Sequence, residues 1–106
     1  MYKVIKRDGA VVDFDIKKIA NAITKAFDAK QRQYCESVID FLALKVTADF
    51  EPKVKEDRIA VEDIQDSVEA VLSEAGYADV AKAYILYRMD KEKTRGLVEW
   101  KDGLLS

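Results

Sequence analysis

Apolar and polar residues alternate at the start of the chain, and the period then lengthens. Residues 2–7 and 11–14 alternate as two short strands do, and the Asp8-Gly9 pair between them predicts a two-residue type I′ turn. Further along, four segments place apolar residues every three or four positions, which is the pattern of amphipathic helices. The pattern predicts an N-terminal β-hairpin followed by four helices.

Each helix is predicted with a start signal or an apolar stripe of its own. The first follows a capping aspartate, Asp13 or Asp15, and its stripe is Ile16, Ile19, Ile23 and Phe27. The second runs roughly from Tyr34 to Asp49, with a stripe of Tyr34, Val38, Phe41, Leu42 and Val46. The third carries Ile64, Val68, Val71 and Leu72 and stops at Gly76. The fourth begins at about Ala78 and covers the segment "ADVAKAYILYRMDKEKTR". Residues 59–61, "IAV", remain open between a third strand and a lead-in to the third helix.

Composition narrows the class of protein. The 106 residues suit one domain, and 49% hydrophobic with 36% charged residues excludes a disordered or membrane-spanning chain. The N-terminus has no apolar signal region, so the expected location is the cytoplasm. The chain has no histidine and one cysteine, which excludes His-dependent nucleophiles and a disulfide framework, and no Walker loop is present. We therefore expect no enzyme activity from this chain.

The charge of the chain is uneven. Residues 1–30 hold seven Lys or Arg against four Asp or Glu, although the whole chain has a net charge of −2. Lys6 and Arg7 lie at the hairpin turn, and Lys18 lies in the first turn of the first helix, where free N–H groups also favour anions. These cations either form an anion cradle or are simply solvated on an edge hairpin.

Two other charged features have alternative interpretations. Glu62, Asp63, Asp66 and Glu69 share one side of the third helix and are predicted to be solvated rather than to serve acid–base chemistry or a metal. Lys82 has apolar helical neighbours, and its ammonium group either extends to water or reaches an anion in a pocket.

Three segments in order and spacing resemble the ATP-cone domain. They are "VIKRDGAVVDFDIKKI", "AVEDIQDSVEAVL" and "AKAYILYR", and the similarity covers about residues 2–92. The ATP-cone is the regulatory nucleotide-binding module of many ribonucleotide reductases, and "KAYILYR" is most similar to the anaerobic class. The resemblance also extends to the repressor of the reductase genes, but the paired cysteines of that repressor's zinc ribbon are missing here.

The resemblance implies an α+β fold in which a small three-stranded sheet, the hairpin plus one short strand, covers a four-helix bundle. ATP or dATP would lie under the hairpin. Lys6 and Arg7 match the pair that meets the phosphates, with Val4 as an apolar contact beside them. Lys18 matches a lysine near the phosphates or ribose, and Ile19 the apolar contact next to it. Val61 and Glu62 match the base side, and Lys82, Tyr87 and Arg88 match positions on the last helix, the last two near the phosphates.

The implied function is allosteric control of reductase activity, or of its expression, by ATP and dATP through nucleotide-dependent oligomerisation. Implied partners are a nucleoside triphosphate and either further copies of the chain or a reductase; Mg²⁺, where present, would be held by the phosphates and not by side chains. Residues 1–92 would form the domain, and 93–106 a tail or the start of a linker. Two alternatives stay open: a nucleic-acid or protein interaction module using the basic hairpin, which the acidic body disfavours, and a phosphotransferase fragment.

Overall fold

The computed structural model describes residues 2–89, and its first element is the predicted hairpin. β1 (Lys3–Ile5) pairs antiparallel with β2 (Val11–Asp13). Alternation is retained, since Val4 on β1 is buried and its neighbours along the strand are more exposed. The predicted end of the fourth helix beyond residue 89 and the 93–106 tail lie outside the described residues.

The turn of the hairpin differs from the two-residue turn predicted from the sequence. The N–H of Gly9 donates to the carbonyl of Lys6 (2.9 Å), and the N–H of Lys6 donates to the carbonyl of Ala10 (2.8 Å). Gly9 has a φ of 89°, but Asp8 does not have a positive φ, because its carboxylate accepts the N–H of Ala10 (3.0 Å) and holds an ordinary type I turn. The predicted type I′ turn is therefore wrong, and Arg7 lies at the tip of a longer loop.

A third strand completes the sheet. β3 (Arg58–Ala60) pairs in parallel with β1, which gives the order β2-β1-β3. A type I′ turn does occur, but before β3: Glu56 and Asp57 have φ of 53° and 58°, and Lys55 and Arg58 exchange backbone hydrogen bonds of 3.0 Å. Of the segment 59–61, Ile59 and Ala60 lie in this strand, and Val61 is the first residue of the third helix, so the strand leads directly into that helix.

All four predicted helices are present. Their bounds are α1 (Ile16–Ala29), α2 (Glu36–Phe50) and α3 (Val61–Glu74), and α4 occupies residues 78–89 of the described chain. Asp15 is the cap of α1, since its carboxylate accepts the N–H of Lys17 at 3.0 Å. Pro52 lies in a short 3₁₀ turn, Glu51–Lys53, after α2. The α+β architecture implied by the resemblance is confirmed.

The core lies between the helices, with α2 packed against both α1 and α3. The predicted stripes of α1 and α3 are buried as expected, except for Ile16 at the start of α1, which is partly buried. On α2 the prediction is partly wrong, because Phe41 is 57% exposed and Tyr34 lies before the helix. The buried face of α2 is Ile39, Leu42, Ala43, Val46 and Phe50. No helix within residues 2–89 is long and apolar enough to cross a membrane.

Three aromatic rings fasten the hairpin to the bundle. Tyr2 and Phe14 flank the two strands, with ring centroids 5.0 Å apart, and both rings contact Phe50 at the end of α2 at 5.9 and 5.6 Å. The contacts with Phe50 are edge-on, the arrangement that aromatic pairs favour. The position of the hairpin is therefore set by core packing rather than by its own short ladder.

Candidate functional site

The hairpin turn and the start of α3 meet at one edge of the sheet. β1 and β3 are parallel, so the chain leaves both strands on the same side. β1 leads there into the loop with Lys6 and Arg7, while β3 passes directly from Ala60 into Val61 at the start of α3. Basic side chains and a helix N-terminus are thereby placed side by side.

The N-terminus of α3 lacks a side-chain cap. Ala60 is its N-cap residue and makes no side-chain hydrogen bond to the first turn. The first N–H groups of a helix have no partners within the helix, and the helix dipole adds partial positive charge there. This end of α3 is consequently suited to an anion, although Glu62 and Asp63 in its first turn oppose one.

Arg7 reaches from the hairpin turn onto α3. Its Nη2 donates to Oε1 of Gln65 at 3.1 Å, and its Nε lies 3.5 Å from a carboxylate oxygen of Glu62. The side chains of Arg7 and Glu62 are 34% and 44% exposed, so water and salt screen their attraction. The contact links the hairpin to α3 while leaving part of the guanidinium accessible.

Arg88 on α4 is held by the next turns of α3. Its Nη1 donates to Asp66 at 3.1 Å and to Glu69 at 2.9 Å, and its side chain is only 18% exposed. Burial on its own would lower the pKa of Arg88, but the hydrogen bonds that Arg88 donates to Asp66 and Glu69, together with the negative charges of these carboxylates, outweigh burial and raise that pKa. Arg88 therefore fixes α4 against α3 as a permanent cation.

The polar face of α3 explains both contacts. Glu62, Gln65, Asp66 and Glu69 are spaced at i, i+3, i+4 and i+7, so they form one row along the helix. The carboxylates of this face remain partly exposed to water, and three of them also pair with Arg7 or Arg88. Spacing alone located the row, but its partners come from distant segments, and Gln65 has no distinguishing signal in the sequence.

Tyr84 lies beneath this cluster and is 5% exposed. Burial raises the pKa of its hydroxyl to about 12; Arg88 and Arg7 act in the opposite direction, whereas Glu69 and Tyr87 add to the rise. Tyr84 thus reports on the same cluster from the core side.

The pKa of Tyr84 predicts a loss of stability at high pH. The unfolded chain releases the Tyr84 proton near pH 10, and the folded chain releases it near pH 12. The free energy of unfolding therefore keeps its full value below about pH 10 and decreases as the pH rises towards about 12. Urea unfolding at about pH 9 and about pH 11.5 should show the wild type losing on the order of 2 kcal/mol more than Tyr84→Phe. Equal losses in the two proteins would contradict this assignment.

Of the other residues predicted for the site, three are apolar and lie in or against the core, and one is an exposed lysine on α1. Val4 and Ile19 belong to the core, 8% and 6% exposed, and Val61 packs against it. Lys18 is exposed in the first turn of α1, which follows the far end of β2, so a ligand that contacts Lys18 and the hairpin turn would span about 10 Å of sheet.

Lys82 and Tyr87 on α4 point in different directions. Lys82 is exposed, and helical geometry places it about 160° around α4 from Tyr84, so the structure does not bring it to the cluster of Arg7 and Arg88. Tyr87 is half-buried, and the Nζ of Lys25 on α1 lies 5.8 Å from the centroid of its ring. Of the two, Tyr87 is the closer to the cluster, being adjacent to Arg88 in the chain.

Comparison with known proteins places this arrangement in a family. A family model described as the ATP cone domain matches residues 2–93, which is most of the chain. The vitamin B12-dependent ribonucleoside-diphosphate reductase of Thermoplasma acidophilum is 42% identical over 105 residues, covering 94% of this chain and 13% of that protein.

Other similar proteins are reductases as well. The ribonucleoside-diphosphate reductase subunit alpha of Chlamydia pneumoniae is 40% identical over 98 residues, which is 87% of this chain and 9% of that subunit. The anaerobic ribonucleoside-triphosphate reductase of Haemophilus influenzae is 33% identical over 97 residues, 89% of this chain and 13% of that protein. The chain therefore spans only about a tenth of the length of these relatives.

Proposed function

Since the chain belongs to the ATP-cone family, the regulatory nucleotide-binding domain of ribonucleotide reductases, we propose that it binds ATP and dATP as allosteric effectors. The observation that carries the proposal is the juxtaposition of a basic hairpin turn with the uncapped N-terminus of α3. Such a site suits a polyanion, and it needs only local positive charge on a chain whose net charge is −2.

The phosphates bind at the hairpin in this proposal. Lys6 and Arg7 supply charge-assisted hydrogen bonds, and the arginine can hold two phosphate oxygens at once. Main-chain N–H groups of α3 add donors at fixed positions. Lys18 takes the phosphate or ribose end that extends towards the other side of the sheet, and any Mg²⁺ is held by the phosphates.

In this proposal the base of the nucleotide contacts apolar side chains and the polar side chains next to them. Val61 and Glu62 lie at the start of α3 on the base side, while Val4 and Ile19 form the apolar surface beneath the ligand. Tyr87 and Arg88 close the site from α4. Lys82 has the weakest support of the ten residues, because it is exposed on the side of α4 away from Tyr84.

Regulation follows from the number of segments that the ligand would join. A nucleotide held by the hairpin, α1 and α3 favours the arrangement in which all three are correctly spaced, so its binding energy biases their packing. We propose that this bias is passed on by oligomerisation or by docking to a reductase. The chain acts in this proposal as a regulator and not as a catalyst.

Titration calorimetry with ATP and with dATP tests the proposal, and a mass measurement of the assembly with and without each nucleotide tests its second part. We expect saturable binding of both, with a change in mass for at least one. If neither nucleotide binds, the proposal is wrong. If a nucleotide binds without any change in the mass of the assembly, the part of the proposal that concerns oligomerisation is wrong.

A further inference from the structure

The guanidinium of Arg7 contacts α3 in the structure and is also the group that would bind phosphate in the proposed function. It is the cation at the tip of the hairpin turn, yet it also contacts Glu62 and Gln65 on α3, at 3.5 Å and 3.1 Å. Arginine offers five N–H donors in one plane, so a phosphate that binds bidentately competes with partners already on that plane. Phosphate binding at Arg7 therefore has to accommodate or replace the contacts from α3.

The two partners of Arg7 differ in what a phosphate would do to them. Gln65 is neutral and remains compatible with an anion nearby. Glu62 carries a negative charge, and like charges within about 4 Å repel by about 1 kcal/mol or more even at the dielectric constant of water. The carboxylate is the partner that an incoming phosphate must displace.

Arg88 provides a contrast within the same row of side chains. It is held by two carboxylates at 3.1 and 2.9 Å and is only 18% exposed, whereas the Nε of Arg7 lies 3.5 Å from the Glu62 carboxylate and the Arg7 side chain is 34% exposed. An arginine that is largely shielded from water and donates two short hydrogen bonds to carboxylates gives these up less readily than an exposed arginine at a longer distance from one carboxylate. The exchangeable position on α3 is accordingly Glu62, and Asp66 and Glu69 stay with Arg88.

We propose that Glu62 is an internal competitor of the effector's phosphates for Arg7, so that nucleotide binding exchanges a contact between the hairpin and α3 for a contact between the hairpin and the ligand. The proposal rests on the proposed function and adds a regulatory element to it. While it is paired with Arg7, the Glu62 carboxylate lowers the affinity of the site for phosphate. On binding it leaves Arg7 for the base side of the ligand, and the nucleotide replaces this contact as the link between the hairpin and α3.

The test is titration calorimetry with ATP, and with inorganic tripolyphosphate as a probe for the phosphates alone, on the wild type and on Glu62→Gln. We expect Glu62→Gln to bind both about two- to fivefold more tightly, the factor to which an exposed ion pair of up to about 1 kcal/mol corresponds. A gain with ATP but not with tripolyphosphate would overturn the proposal, because it would place the effect at the base.

Two controls separate competition from simple charge. Asp63→Asn removes a carboxylate from the same first turn that has no ion pair among the described residues, and Glu74→Gln removes one from the far end of α3. If Asp63→Asn matches the gain of Glu62→Gln, general repulsion accounts for it and the proposal is wrong. Unchanged or weaker binding by Glu62→Gln, while the wild type binds ATP, overturns the competition alone; no binding by any of the proteins overturns the proposed function as well.

Discussion

A chain carrying both Lys6→Ala and Arg7→Ala is expected to lose the thermal stabilisation that ATP gives the wild type. At a hundredfold excess of ATP over its Kd, the wild type gains about 2.7 kcal/mol, which raises Tm by roughly 10 °C for a domain of this size. The double variant should show almost no shift, because the two cations at the hairpin turn are removed together. Differential scanning fluorimetry over a series of ATP concentrations measures the difference.

The unliganded stability of this variant should be nearly unchanged. Lys6 is exposed, and the exposed contact of Arg7 with Glu62 contributes at most about 1 kcal/mol, so the free energy of unfolding should fall by no more than about that amount. Lys30→Ala with Lys53→Ala is the matched control, since it removes the same charge from two exposed positions away from the turn. A full ATP shift in the Lys6 and Arg7 variant would show that the phosphates bind elsewhere.

Phe50→Ala is expected to have the largest effect on folding. The ring is 0% exposed and contacts both Tyr2 and Phe14, so its removal leaves a cavity between α2 and the hairpin. Truncation of a buried phenylalanine costs about 3–5 kcal/mol, a large part of the stability of a small domain. Urea unfolding should show this loss, and Phe50→Leu, which refills much of the cavity, should recover a substantial part of it.

Phe41→Ala on the same helix is the control for this prediction. Phe41 is 57% exposed, and its ring lies 5.3 Å from the Nζ of Lys45, a contact worth about 0.5–1 kcal/mol at an exposed site. We therefore expect a loss of no more than about 1 kcal/mol. Similar losses of stability for Phe41→Ala and Phe50→Ala would contradict the orientation of α2 in the structure, which buries Phe50 and exposes Phe41.

The sequence predicts α1 and α3 well because each has apolar residues on one side and charged residues on the other. In α1 the stripe from Ile19 to Phe27 leaves a single choice for the buried face. On α2 both Phe41 and Leu44 are apolar yet exposed, next to the buried Leu42 and Ala43. A helix that is apolar on several sides does not determine its own buried face, so the choice depends on α1 and α3.

The candidate site is predictable only in part for a related reason. The basic turn is visible locally, because Lys6 and Arg7 adjoin a turn signal and a helix start. The partners of Arg7 are not visible, since Glu62 and Gln65 are far along the chain and any carboxylate of the acidic body was an equal candidate. The turn type failed for a local reason: the Asp8 carboxylate stabilises the common turn over the one that Asp-Gly pairs favour.

The parallel pairing of β1 with β3 joins two segments that are far apart in the sequence, which bears on the order in which contacts form during folding. β1 lies at the N-terminus and β3 follows α2, so the chain between Val4 and its partner Ile59 includes β2, two helices and their connections. Closing so long a loop has an entropic cost that local helix formation does not have, and contacts of this kind form late. We therefore expect the pairing of β1 with β3 at the edge that carries Arg7 to form after the local contacts of the helices and of the hairpin.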